Sequence, residues 1–236
     1  TLYPTSVSQK HSVIFFGIAN CIFSSNTSAM PYKLVYFPVR GRGEAIRLLL
    51  EDQGLPWEEQ VVTGADWPAL KPTMTFGQLP AFVANGLELV QSNAILRYLA
   101  RKHGLYGSND EEATRIDMIN DGQEDLRSKY VTMIYRNYEN GKEDFIKTLP
   151  EFFERYEKVL KMNNGGDGFF VGDKVSFVDY NMFDLLDILL VLSDSCLDTF
   201  PKLKAFHQRM AARPPITAYH QTETFKSRPI NGNGKQ

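Results

Sequence analysis

Cysteine and histidine are scarce in this sequence. Its 236 residues include only 2 cysteines, Cys21 and Cys196, and 4 histidines, with none of these side chains at the spacing of metal ligands. Two cysteines so far apart do not form a disulfide framework, which favours a reducing compartment. Structural zinc sites need closely spaced Cys and His residues, so we expect no metal site.

The sequence also lacks a strong excess of charge of either sign. It carries 26 basic and 28 acidic residues, a net charge of -2. This balance makes no electrostatic case for nucleic acid or an anionic membrane as the main partner. No GK[ST] element occurs, and Gly41-Arg42-Gly43 supplies only two glycines of a dinucleotide motif, with Ile46 at the third position. Nucleotide binding is therefore disfavoured.

The first 29 residues have a pattern of their own. The apolar run VIFFGIANCIF, residues 13–23, is too short to span a bilayer, and it has the outline of a secretory signal. Because Met30 directly precedes a strand pattern, we interpret residues 1–29 as a leader that is not part of the fold, and we expect a cytoplasmic protein. The alternative is a secreted protein, in which the sequon at Asn26 would matter.

From Met30 onward the pattern first alternates between strands and helices. Asn85-Gly86 between two apolar runs is a strong signal for a two-residue hairpin turn. The order β-α-β, a connector and then β-β-α predicts a small mixed sheet flanked by helices. The expected elements are strands at 33–37 and 57–62, a helix at 44–53 ended by Gly54, a hairpin over 81–90, and a helix capped by Ser92 that ends at Gly104.

After the linker at 104–110 the pattern is helical throughout. The stretch from EEATRID to MIYRNY has apolar residues at helical spacing, and further helices are expected at 143–162, 176–194 and 201–213. Ser176 and Asp179 form a capping-box pattern. We therefore predict two folded domains, at 30–106 and 107–236.

The turn in VYFPVRGRGEAIRLLL is the first candidate site. Tyr36 ends a strand, and Arg42 lies at the start of the following helix, where anions are favoured. GQLP (77–80) and QSN (91–93) place a proline and a helix start near the same opening. Each feature alone also has a purely structural interpretation: a core tyrosine, a solvated arginine, and a serine that only caps its helix.

Together these segments resemble a known family. PYKLVYFPVRGRGEAIRLLLEDQG, FGQLPAFVANGLELVQSNAILRYLARKHGLYG, INDGQEDLRSKYVTMIYRNYENGK, VGDKVSFVDYN and PINGNGKQ are similar to pi-class glutathione S-transferases from about Pro31 to Gln236. The resemblance implies an α+β thioredoxin-like N-terminal domain that binds glutathione. It also implies an all-α C-terminal domain that supplies most of the electrophile pocket.

The resemblance also assigns roles to individual residues. Tyr36 would be catalytic, donating a hydrogen bond to the glutathione sulfur. Phe76 would insert into a partner subunit, which implies a homodimer, and no cofactor is implied beyond glutathione as co-substrate. The glutathione-binding residues would be Tyr36, Arg42, Trp67, Lys71, Gln78, Leu79 (before a cis Pro80), Gln91, Ser92 and Asp125, the last acting on the other subunit's glutathione. The electrophile pocket would be formed by Phe37, Val39, Val131, Tyr135 and Gly232.

The proposed chemistry suits a tyrosine. The thiolate is the nucleophile, and a free thiol has a pKa of about 8.5, so only a few per cent is ionised at neutral pH. A hydrogen bond to a charged group is worth about 1.5–3 kcal/mol, and lowering the thiol pKa by about two units requires roughly 2.7 kcal/mol. A single tyrosine hydroxyl would therefore supply most of the activation.

The sequence departs from mammalian pi-class members in two places. The segment between Trp67 and Lys71 is shorter, which weakens the assignment of the glycyl end of glutathione to these two residues. Met74 and Ser128 stand where mammalian members carry reactive cysteines, so we expect little thiol-based redox sensing. Cys196 is expected to serve packing.

Other functions compete with the transferase. The chain could be a non-catalytic carrier of apolar ligands, a binding protein that regulates a kinase, or a glutathione-dependent isomerase or prostaglandin synthase. A carrier has no use for a hydroxyl at the sulfur, so Tyr36 favours the enzyme. The residue types of the pocket suggest flat aromatic or α,β-unsaturated electrophiles.

Overall fold

The computed structural model describes residues 32–236. The leader predicted for residues 1–29 and the sequon at Asn26 lie outside this range. Within the described residues, none of the helices is both long and apolar enough to cross a membrane.

A four-stranded mixed sheet forms the N-terminal part, with strand order β2-β1-β3-β4. β1 pairs in parallel with β2 and antiparallel with β3, and β3 and β4 form the predicted hairpin. Asn85 and Gly86 both have positive φ, at 51° and 81°, as a tight hairpin turn requires. The elements are β1 (Tyr32–Tyr36), α1 (Glu44–Asp52), β2 (Trp57–Val61), α2 (Trp67–Leu70), β3 (Ala81–Ala84), β4 (Leu87–Val90) and α3 (Ser92–His103).

The start of α3 differs from the sequence prediction. Ser92 is the first residue of the helix, and the capping position is held by Gln91, which has a positive φ of 71° and makes no side-chain cap. The prediction that Ser92 caps the helix is therefore wrong. The sharp turn at Gln91 starts the helix one residue earlier than the Ser-Asn pattern suggests. The other end is as predicted, with Gly104 in the left-handed conformation.

The C-terminal part is helical. A capping box between Ser176 and Asp179 starts α6, as predicted. Two short helices after Arg213 were not predicted, although Pro214 at a first turn and the Thr222 cap are signals for both. The helices are α4 (Asp110–Arg136), α5 (Tyr138–Met162), α6 (Phe177–Leu192), α7 (Pro201–Ala211), α8 (Pro214–Gln221) and α9 (Glu223–Ser227).

α6 forms the centre of the fold. It is buried along most of its length and contacts α1 of the sheet domain as well as α4 and α7. Polar bonds add to this apolar contact, because the Asp52 carboxylate at the end of α1 accepts from Arg213 at 2.8 Å and from Tyr180 at 2.5 Å. These contacts fix the sheet domain against the helical domain and so position the cleft between them.

Candidate active site

An open cleft of about 700 Å³ lies between the loops of the sheet domain and α4. Most of the residues predicted to bind glutathione line it. Its walls are Phe37, Arg42, Trp67, Lys71, Gly77, Gln78, Leu79, Pro80, Gln91, Ser92, Asn93 and Glu124.

The centre of the cleft presents backbone and helix-end groups. The Leu79–Pro80 peptide bond is cis, as the sequence predicts. Gln91 lies close to Gln78, with 3.4 Å between Nε2 and Oε1. Ser92 begins α3, so its neighbouring backbone N–H groups and the positive end of the helix dipole make a site for a carboxylate.

Trp67 and Lys71 lie at one end of the cleft. The Trp67 ring packs edge to face against Phe37, with 5.2 Å between ring centroids and an interplanar angle of 80°. Lys71 is exposed and belongs to a short 3-10 turn directly after α2. The shortened segment therefore still brings an indole and an ammonium group to the same wall, suited to a second carboxylate.

Tyr36 stands at the end of β1 with its ring almost fully buried. Its hydroxyl oxygen accepts a hydrogen bond from the backbone N–H of Arg42 at 2.9 Å. Burial raises the pKa of Tyr36 above its usual range, although this hydrogen bond and the charge of Arg47 oppose the rise. The hydroxyl is therefore protonated at neutral pH, and because its oxygen already accepts a bond, its proton is available for a ligand.

Two glycines allow this close packing. A Cβ on Gly41 would lie 2.7 Å from the Tyr36 hydroxyl, and a Cβ on Gly43 would lie 2.7 Å from the ring carbon Cδ1. Gly41 also has a positive φ of 41°. The glycines of the RGRG segment therefore serve the tyrosine, and not a phosphate group.

Arg47 fixes the loop that follows Tyr36. This arginine is fully buried, and its Nη1 donates to the carbonyl oxygens of Val39 and Arg40, each at 3.2 Å. Glu44 and Glu59 balance its charge at 2.7 Å and 2.5 Å. Arg47 thus holds the loop from the core side.

The Arg42 side chain is held by Glu124 of α4. Nη1 and Nη2 of Arg42 donate to the two carboxylate oxygens at 3.0 Å and 2.5 Å, and Asn93 donates to the same carboxylate at 3.2 Å. Partial burial works against the Glu124 charge, but the bonds from Arg42 hold the pKa of Glu124 below its usual range. The guanidinium therefore stays in the cleft beside Tyr36.

A second, smaller pocket of about 130 Å³ adjoins the cleft at Arg42. It contains Val131 and Tyr135 from the predicted electrophile pocket, and Phe37 lies on the cleft side. The backbone N–H of Gly232 donates to the Tyr135 hydroxyl at 2.9 Å, so Gly232 lies next to a residue that lines the pocket. The pocket is lined by Tyr36, Gly41, Arg42, Arg127, Tyr130, Val131, Tyr135, Ile188, Ile230 and Asn231.

Three of the predicted site residues, Val39, Asp125 and Gly232, line neither cavity. Val39 is buried in the core, where its carbonyl oxygen accepts from Arg47. Asp125 is exposed on α4, where it lines neither cavity of its own subunit. Phe76 is 63% exposed, as an aromatic side chain offered to a partner would be.

Sequence reasoning missed several residues that line these cavities, among them Asn93, Glu124, Tyr130 and Asn231. A signal for two of them was present on α4. Asn120, Gln123, Glu124, Arg127 and Tyr130 recur every three or four residues, so they share one helix face, and all are buried or half-buried. A polar stripe on a buried face is typical of a site.

Comparison with known proteins identifies the family. The family model for the glutathione S-transferase N-terminal domain matches residues 30–101, and the model for the C-terminal domain matches residues 124–223. The chain belongs to the glutathione S-transferase family. Glutathione S-transferase P from Bos taurus is 53% identical to this transferase over 208 residues, 87% of this chain and 99% of the relative.

Further relatives place the transferase in the pi class. Glutathione S-transferase P from Homo sapiens is 52% identical over 208 residues, again 87% of this chain and 99% of the relative. The solved pi-class glutathione S-transferase of Onchocerca volvulus aligns with a TM-score of 0.85 at 44% identity, covering 88% of this chain and 100% of that structure. The predicted fold, a thioredoxin-like domain followed by a helical domain, is confirmed.

Proposed function

We propose that this transferase joins the thiolate of glutathione to hydrophobic electrophiles, with Tyr36 as the group that stabilises the thiolate. The observation that carries the proposal is the hydrogen bond from the Arg42 N–H to the Tyr36 oxygen at 2.9 Å. Because the oxygen accepts this bond, the phenolic proton is free to be donated to a sulfur atom bound beside Tyr36. A non-catalytic carrier would have no use for this arrangement.

The cleft residues divide between the ends of the tripeptide. Gln91 and Ser92 at the start of α3 would bind the γ-glutamyl carboxylate, and Arg42 would lie near it. Leu79 would pair its backbone with the cysteinyl unit, with Gln78 beside it. Trp67 and Lys71 would hold the glycyl carboxylate, and Asp125 would reach glutathione bound to the partner subunit. Phe37, Val131, Tyr135 and Gly232 would contact the electrophile.

A titration tests the role of Tyr36. The ultraviolet absorbance of the thiolate is followed against pH for glutathione bound to the wild type and to Tyr36→Phe. We expect the bound thiol to titrate about one to two pKa units below its free value of about 8.5 in the wild type. Most of this shift should disappear in the variant. An unshifted pKa in the wild type would show a site that only binds glutathione.

Members of this family form dimers, and we propose that Phe76 contributes to the contact. Its ring is 63% exposed, and a groove of about 340 Å³ between α4 and α5 offers apolar side chains that include Met118 and Met162, themselves 61% and 70% exposed. Phe76→Ser should shift the molar mass measured by light scattering from dimer towards monomer. Val191→Ser, at a side chain 50% exposed on α6, is the matched control and should stay dimeric.

Two expectations from the sequence stay predictions. The boundary between residues 106 and 107 falls in the connection between α3, which ends at His103, and α4, which begins at Asp110. The cytoplasmic location would be tested by cell fractionation with an antibody against the folded part.

A further inference from the structure

Two tyrosines besides Tyr36 line the smaller pocket. Tyr135 stands at its mouth, with 51% of the residue exposed, whereas Tyr130 is only 2% exposed and forms its inner wall. At 130 Å³ the pocket has room for a compact group and not for a whole drug-sized molecule. The chemistry of its inner end therefore decides which end of an electrophile it accepts.

The Tyr130 hydroxyl is oriented by the C-terminal segment. Nδ2 of Asn231 donates to the Tyr130 oxygen at 2.8 Å and to the backbone carbonyl of Lys235 at 2.8 Å. A carbonyl oxygen only accepts, so the Asn231 amide must point its nitrogen at both groups. The Tyr130 oxygen consequently accepts a bond, and among residues 32–236 no hydrogen-bond acceptor faces its proton.

Arg127 adds a second donor to the same wall. Its Nη2 donates to Asp184 at 2.7 Å and to the carbonyl oxygen of Asn181 at 3.2 Å, while its buried Nε has no partner within the described chain. Burial raises the pKa of Tyr130 to about 12, against the hydrogen bond from Asn231, so the hydroxyl keeps its proton at neutral pH. The inner end of the pocket thus offers hydrogen-bond donors.

We propose that Tyr130 is a specificity-determining residue, which donates a hydrogen bond to an oxygen atom of the electrophile and so selects conjugated carbonyl compounds over electrophiles without an acceptor. The inference rests on the proposed transferase function and assigns a role to a residue outside the predicted electrophile pocket. A buried donor left without an acceptor is unfavourable. A ligand with an oxygen atom can accept this hydrogen bond and binds more favourably, whereas an apolar ligand leaves the donor unpaired. Because Tyr130 is sealed from water, its bond is stronger than that of the exposed Tyr135.

The reaction makes this bond most useful in the transition state. The thiolate sulfur bonds to the β-carbon of the enone, and the electrons of the carbon–carbon double bond move to form an enolate with negative charge on oxygen. Tyr130 donates its hydrogen bond to that oxygen. A proton from water, equivalent to the one released when the thiol ionised, then adds to the α-carbon and restores the carbonyl. The bond to Tyr130 strengthens as charge develops on oxygen, which raises the rate.

A pair of electrophiles separates this role from a structural one. Benzylideneacetone carries the carbonyl, and benzyl chloride has no oxygen. We expect Tyr130→Phe to lower kcat/KM for benzylideneacetone at least about tenfold, and for benzyl chloride less than about twofold. Tyr156→Phe is the matched control, because this buried phenol of α5 donates to the carbonyl oxygen of Gly122 outside both cavities. Tyr156→Phe should leave kcat/KM unchanged for both electrophiles.

Other outcomes would overturn the proposal. An equal loss of kcat/KM for both electrophiles would show that Tyr130 only supports packing. No loss for either would show that Tyr130 does not contact the electrophile. Asn231→Ala provides a second variant that keeps the hydroxyl but frees its orientation, so a smaller loss confined to benzylideneacetone is expected. If the wild type turns over benzyl chloride but not benzylideneacetone, this inference fails while the transferase function stands. If it turns over neither and leaves the bound thiol unshifted, the proposed function itself fails.

Discussion

The open cleft and the smaller pocket share Arg42 but draw on different parts of the chain. The cleft is formed almost entirely by residues between 37 and 93, and Glu124 is the exception. The pocket combines the loop after β1 with α4, Ile188 of α6 and the chain end at Ile230 and Asn231. Recognition of a fixed ligand is thus built from local segments, whereas the pocket for a variable ligand depends on long-range packing.

The two cavities also differ in chemistry. The cleft offers a helix start, a lysine and an arginine, which suit the carboxylates of a peptide. The pocket offers phenols, apolar side chains and the guanidinium of Arg127 in a small volume. Tyr36 lines the pocket and is bonded to the backbone of Arg42, which lines both cavities, so changes at Tyr36 should affect both partners of the reaction. Changes at a residue that lines only one cavity should affect one partner.

The largest effect is expected at Tyr36. Tyr36→Phe should lower kcat/KM by about 10- to 150-fold for benzylideneacetone and for benzyl chloride alike, because both reactions need the thiolate. Steady-state rates with saturating glutathione measure this. A loss confined to one electrophile would contradict the division of labour between the two cavities.

The next largest effect is expected at Asp187 of α6, which binds Arg40 of the loop after β1. Asp187 accepts a hydrogen bond from Arg40 at 2.5 Å and lies 3.0 Å from His207 Nε2. Burial opposes its charge, but His207 and Arg40 together lower the pKa of Asp187 to about 2. Against an unfolded value of about 3.9, this ionisation contributes roughly 2 kcal/mol to the free energy of unfolding above pH 4.

Asp187→Asn tests this contribution. The depressed pKa means that the stability is present above about pH 4 and is lost as the pH falls towards 2. The difference in free energy of unfolding between the wild type and Asp187→Asn, measured with urea, should therefore be largest near neutral pH and shrink in acid. A difference that does not change with pH would contradict the ionised pair.

Arg42→Leu should weaken the binding of glutathione. The substitution removes a positive charge from the cleft and leaves the Glu124 carboxylate unpaired beside an anionic ligand, and both changes disfavour binding. We expect the Kd for glutathione, measured by calorimetry, to rise about tenfold. Arg155→Leu removes an exposed partner of Glu151 on α5 and should leave this Kd unchanged.

The smallest effect is expected at the chain end. Asn233 donates from Nδ2 to the carbonyl oxygen of Ile134 at 2.9 Å and so holds the segment that reaches Tyr130 and Tyr135. Asn233→Ala should raise the KM for benzylideneacetone about threefold, consistent with the loss of one neutral hydrogen bond, without changing the Kd for glutathione. Asn140→Ala, at an exposed residue of α5, is the control. Equal effects on both ligands would mean that the segment supports the whole fold.

The cleft and the pocket also differ in how far the sequence could predict them. The cleft was predictable because its residues lie in short motifs, such as GQLP and QSN, whose local structure follows from proline, glycine and helix starts. The hairpin at Asn85-Gly86 and the end of α3 at Gly104 were predictable for the same reason. The error at the Ser92 cap arose because the positive φ of Gln91 has no signal in its residue type.

The pocket was less predictable because long-range contacts define it. Tyr130 reads as one more apolar residue of α4, and its role depends on Asn231, which lies near the other end of the chain. Glu124 was overlooked beside Asp125 because helical spacing alone does not say which carboxylate meets Arg42. The packing of α6 against α1 and α4 brings these residues together, and no local motif encodes that packing.

The most direct test of the division between the cavities is the pH titration of bound glutathione in Tyr130→Phe, measured beside the wild type and Tyr36→Phe. We expect Tyr130→Phe to keep the lowered thiol pKa of the wild type, because Tyr36 and its bond from Arg42 are intact. In Tyr36→Phe, the pKa of the bound thiol should return most of the way to its free value of about 8.5. A thiol pKa that rises equally in both variants would contradict separate roles for the cleft and the pocket.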